Sequence, residues 1–319
     1  MNDDPFVPDV AAVVNPYAAS QMAPSPFAPS AAALQRPPRV WTVFVTVIVT
    51  FVAIIAAQIV AGIGIVLWHF ARGGSPQGLQ GDLLKLVARP DVFICLGLMN
   101  QAVIGGMALA AAWLSPQPMA ARLGLVAPRQ SALGILLMCV GSLVPFAIGM
   151  AAAYALAEVI EPDPTAEALY EQMTPALAVP FLLFIALAPG LCEEILFRGY
   201  VQRRLLERWN PWLAIGITSV VFALFHVTPH AVVFAFPVGI WLGLMAWNSG
   251  SIWPGALCHA AINGLWNVWH LGVRFNYFAE QPPLWFSIGL VVVGVAAFAL
   301  SLWMMFVTSA RASPALRAP

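Results

Sequence analysis

The sequence predicts an all-α, polytopic membrane protein with about eight transmembrane helices. Two features of composition and one of pattern carry that expectation. Hydrophobic residues fill 61% of the 319 positions and charged residues only 9%, against roughly 25% charged in an average soluble domain. So few charges could not cover a soluble surface. The apolar residues also fall in long uncharged runs of the length that crosses a hydrocarbon core of ~30 Å. A transmembrane barrel would show short alternating segments instead.

Along the chain, Pro, Ala and Ser dominate residues 1–38 and no apolar period runs through them. Such a stretch cannot bury enough surface to fold and reads as a disordered cytoplasmic tail. Its start, MNDDPF, is acidic, so no cleaved signal peptide is expected. The first apolar run, beginning near Val40, is then an anchor that stays. Eight spans follow, at about 40–68, 92–114, 132–158, 176–197, 211–227, 231–247, 252–271 and 284–308. Only Thr228, Pro229 and His230 separate the fifth from the sixth, which predicts a tight helical hairpin. Residues 78–90, GLQGDLLKLVARP, read as a short interfacial amphipathic helix.

The charges set expectations about surroundings. The net charge is zero, so nothing points to nucleic acid, and the expected partners are membrane lipids. With the N-terminus in the cytoplasm, nine loop cations fall inside: Arg36, Arg39, Arg122, Arg129, Arg203, Arg204, Arg208, Arg311 and Arg317. Four fall outside: Arg72, Lys85, Arg89 and Arg274. The excess predicts cytoplasmic N- and C-termini. Four cysteines, at 95, 139, 192 and 258, match no zinc-ribbon or CxxC spacing and read as packed small hydrophobes.

An ionisable residue inside a membrane helix is costly, and by default it marks function. In the later spans these are few: Glu193, Glu194, Arg198, His226 and His259, joined by polar Asn263 and Asn267. Glu194 and Arg198 stand four residues apart, on one helix face, where an ion pair lowers the cost of both charges. Glu193 is turned by about 100° from Glu194 and has no helical partner. The expected division makes Glu194 structural and Glu193 the free carboxylate, suited to a general base. Phe222 and His226 share one face, so the phenyl ring can limit the imidazole. His259 and Asn263 share another, as plausible donors to a developing oxyanion. Glu193, His226 and His259 also form a candidate metal-ligand set, for which Zn2+ is the ion considered. Asn267 reads as interhelical glue.

Together, Glu193-Glu194-x-x-x-Arg198, Phe222-x-x-x-His226 and His259-x-x-x-Asn263 resemble the three-motif signature of the CPBP intramembrane protease family. That family groups type II CAAX prenyl endopeptidases with bacteriocin-processing enzymes. The resemblance covers about residues 176–271. It implies that Glu193 activates a water, Arg198 holds Glu194, and His226 positions the water with Phe222 beside it. His259 and Asn263 would stabilise the oxyanion. The family has been described both as metal-dependent and as glutamate-dependent without metal; no HExxH occurs here. The expected divisions are the tail over 1–38, three N-terminal helices over 39–175, a four-helix catalytic core over 176–271, and a last helix with a short tail over 272–319. The expected function is intramembrane hydrolysis of peptide or membrane-protein substrates, in a bacterial plasma (inner) membrane. A non-proteolytic, partner-binding membrane scaffold and a proton-coupled transporter are the alternative readings.

Overall fold

The computed structural model describes residues 39–76, 79–115 and 118–311. The tail expected over 1–38, and with it Arg36, lies outside the described residues, as does Arg317. Helix is the regular structure throughout, with no strand among the described residues. Proline opens one helix after another, at Pro90, Pro175, Pro211, Pro229 and Pro254. In the first turn its fixed φ suits the helix and its missing N–H leaves no bond unmade.

In chain order the long α1 (Trp41–Ala71) is followed by the short α2 (Leu79–Val87), inside the stretch expected to form an interfacial helix. Next come α3 (Pro90–Trp113) and a single turn, α4 (Met119–Arg122). The third span divides into α5 (Ala132–Gly141) and α6 (Leu143–Ala157) at Ser142. The Ser142 hydroxyl turns back onto the Cys139 carbonyl, 2.6 Å away. The short α7 (Thr165–Glu171) precedes α8 (Pro175–Glu194). After Glu194 the chain widens into a π-helix, Ile195–Gln202, before closing with α9 (Arg203–Leu206). The hairpin is α10 (Pro211–Leu224) and α11 (Pro229–Ser249), followed by α12 (Trp253–Arg274) and α13 (Leu284–Arg311).

These helices stand where the eight spans were expected, and the all-α membrane class is borne out. Six are long and apolar enough to cross a bilayer. The two that fall short are informative. One, α10, has only 14 residues. The other, α12, has 22 but carries His259, Asn263, Asn267 and His270. Both supply residues of the polar cluster described next.

Packing places α8 at the centre, with α3 on one side and α12 on another. Outside α3 lies α1, while α11 packs against α6, α10 and α12, and α13 covers α5. Two close approaches set this arrangement. At Gly190 a Cβ would stand 3.1 Å from the Ala256 carbonyl and from Ala260. At Gly199 it would stand 2.6 Å from the Leu123 carbonyl. Small residues let helix backbones meet where lipid supplies no hydrophobic drive.

Candidate active site

The π-helix begins immediately after the acid pair. An i→i+5 turn of this kind recurs at functional sites because it re-aims side chains that a regular α-helix would place elsewhere. Here it carries Arg198 into the protein interior, where it is fully buried. Its Nη1 donates to Glu194 Oε1 at 2.7 Å, and its Nη2 to the Gly239 carbonyl at 3.0 Å. The guanidinium also lies over the Phe222 ring, 4.2 Å from its centre. Glu194 is equally buried. The same Oε1 lies 3.0 Å from His259 Nδ1. A carboxylate can only accept, so Nδ1 is the donor and Nε2 is the ring nitrogen left for other work. The result is a closed triad of Arg198, Glu194 and His259, drawn from two segments. Gly255 on α12 leaves room for it, because a Cβ there would come 3.0 Å from Glu194 Oε2.

Phe222 is the hub of the aromatic packing. It stands edge-on to His226 at 5.1 Å and to His259 at 5.7 Å, and to Phe197 at 5.3 Å. His226 Nδ1 bonds the Phe222 carbonyl at 3.1 Å. His226 closes the hairpin turn, where Val227 takes a left-handed φ of 64°. A β-branched residue rarely adopts that conformation, which marks the turn as held by its surroundings.

Glu193 lies outside the triad and is half-buried. Its neighbour is Gln101 on α3, whose Nε2 donates to Glu193 Oε1 at 2.7 Å. One residue earlier, Asn100 accepts from Gln58 of α1 at 2.9 Å. A cleft of about 480 Å³ opens beside this pair, lined also by Phe51, Ile54, Phe225 and Val227. Asn263 gives one amide hydrogen to the Ile185 carbonyl, 3.1 Å away. Asn267 donates to the Asn263 carbonyl of its own helix at 2.7 Å and accepts from Tyr170 of α7 at 2.6 Å, the second bond joining two helices.

The structure thus brings Glu194, Arg198, Phe222, His226 and His259 into contact. Glu193 points to α3, and Asn263 is tied to α8. The candidate metal set is not assembled here, because Glu193 turns toward Gln101 on α3. Among the described residues no group of three His, Cys, Asp or Glu side chains is placed to hold a metal ion. Gln101 was missed by reading the sequence. The signal was available in the polar pair Asn100-Gln101, which interrupts an otherwise apolar span.

The fold and cluster define a class first: an integral membrane protein whose helices enclose a charged, histidine-containing site. Residues 175–265 match the family described as type II CAAX prenyl endopeptidase, Rce1-like, as the motifs led one to expect. The match spans less than a third of the chain and contains all seven motif residues. It supports intramembrane endopeptidase activity in general terms. No curated protein and no solved structure gives a match.

Proposed function

We propose that this protein hydrolyses peptide bonds of membrane-associated or small peptide substrates within the bilayer, using water activated by Glu193. The observation that carries this reading is the unequal fate of the two acids. Glu194 Oε1 is taken by Arg198 and His259, whereas the hydrogen-bond partner of Glu193 among the described residues is a neutral amide. A carboxylate that keeps its proton-accepting capacity in a half-buried site suits a general base.

In this mechanism Glu193 takes a proton from water as the oxygen attacks the scissile carbonyl. The developing oxyanion is met by the second amide hydrogen of Asn263 and by His259 Nε2. His259 must carry protons on both nitrogens to donate there; Glu194 already balances Arg198, so the developing oxyanion itself balances the imidazolium. One such donor is worth about 3–4 kcal/mol in a well-placed oxyanion hole. His226, confined by Phe222, orients the water. Glu193 then returns its proton to the leaving amine. The excess of cytoplasmic cations supports placing both termini, and the Glu193 end of α8, on the cytoplasmic side.

The test is cleavage of a diverse peptide library by detergent-purified protein, with products read by mass spectrometry. Wild type and Glu193→Gln are run together, each with and without chelator. The expected outcome is product from wild type alone, unaffected by chelator. Equal product from both proteins would remove Glu193 as the base, and a chelator-sensitive wild type would reinstate metal chemistry.

A further inference from the structure

Gln101 lies on α3, outside the three motifs and outside the segment that matches the family. It is only 9% exposed. Because a carboxylate only accepts, the amide must turn Nε2 toward Glu193, which also fixes where its oxygen goes. That oxygen, Oε1, is buried and has no partner among the described residues. A buried acceptor left in this state is costly unless something donates to it. A water brought to a general base has two O–H groups. The base takes one; the other needs an acceptor close by. An acceptor on the residue that already grips the base fits that need.

We propose that Gln101 is a positioning residue for the hydrolysis: Nε2 fixes the Glu193 carboxylate, and Oε1 accepts the second O–H of the attacking water. This rests on the peptidase reading above. As the water oxygen bonds to the carbonyl carbon, one proton passes to Glu193. The other stays on that oxygen, hydrogen-bonded to Gln101. The carbonyl electron pair moves onto the oxyanion. When the C–N bond breaks, the proton on Glu193 leaves with the amine.

Two variants separate this role from a merely structural one. Gln101→Met keeps the length and removes both polar atoms. Gln101→Asn keeps the amide but withdraws it by one methylene. They are purified beside wild type, Glu193→Gln and the double variant Gln101→Met/Glu193→Gln. Unfolding temperature is measured across that cycle, and kcat and KM are measured on the library peptide that wild type cleaves fastest. The expected unfolding shifts of Gln101→Met and Glu193→Gln are not additive, because Glu193→Gln turns one charge-assisted bond into a neutral one and Gln101→Met removes that same bond. The expected kcat of Gln101→Met falls on the order of 10–100-fold, the scale of a misplaced reacting group, with KM nearly unchanged. Gln101→Asn loses kcat with it, again with KM nearly unchanged, although its amide remains. Additive shifts, or a wild-type kcat in either Gln101 variant, would overturn the proposal and leave an inactive Glu193→Gln, and so the peptidase reading, intact. An active Glu193→Gln, or no product from wild type, would remove the base assignment and this role with it.

Discussion

Arg198 has three attachments and no contact with solvent: the Glu194 carboxylate, the Gly239 carbonyl and the Phe222 face. Removing it strands a carboxylate in the interior. Arg198→Ala should therefore destabilise the protein by about 3–5 kcal/mol, read as a lower unfolding temperature in detergent. Glu194→Gln leaves an acceptor for Arg198 and should cost less; the reverse order would mean that Arg198, not Glu194, is the member most in need of compensation. Gly199→Ala is a backbone case. Its Cβ would sit 2.6 Å from the Leu123 carbonyl, so the π-helix or the turn after α4 must shift, at about 1–3 kcal/mol. At this scale the sequence was readable wherever partners lie one helical turn apart, as Glu194 and Arg198 do. It was silent on Gln101 and Glu193, which are 92 positions apart. No local periodicity encodes such a contact.

Among elements, the hairpin of α10 and α11 was foreseen because three residues leave no room for anything longer. The π-helix was not foreseen, since the same residues satisfy an α-helical pattern and only tertiary packing around Arg198 and Gly199 selects the wider turn. The hairpin turn holds the strained Val227 next to His226. Val227→Gly removes a left-handed penalty of roughly 1–2 kcal/mol and adds backbone freedom costing about 0.5–1 kcal/mol. Its unfolding temperature should change little, while kcat falls as His226 loses its fixed orientation. A rise in kcat would show that the strain hinders the reaction.

For the molecule as a whole, composition and hydropathy were enough to give the class and the positions of the helices. Which helices become neighbours was not legible, because lipid-facing and helix-facing sides are equally apolar. The end of the bundle opposite the acid pair is tied by α7. Tyr170 bonds Asn267 and stacks on His270, and Arg274 donates to the carbonyls of Tyr170 and Glu171. Burial pushes the Tyr170 hydroxyl up to about 12. With the folded value raised, its contribution is whole below the ordinary value near 10 and is lost as pH climbs toward about 12. Alkaline unfolding followed by circular dichroism should show this loss, and Tyr170→Phe should remove that part of it. The same variant at neutral pH should cost about 0.5–1.5 kcal/mol, the worth of one hydrogen bond.

The ion pair of Glu194 and Arg198 also bears on how the chain is made. Both residues belong to one segment, so they reach the translocon together and can enter the bilayer as a neutral unit before the later helices exist. His259 comes from a helix synthesised afterwards and meets a carboxylate already compensated. A lone charge at a helix centre adds about 2.5–3.5 kcal/mol to insertion, so Arg198→Ala should impair the biogenesis of this span as well as its packing. In a nascent chain truncated before α10, a reporter fused behind the span should shift toward the wrong side of the membrane when Arg198 alone is replaced, and shift back when Glu194 is replaced with it.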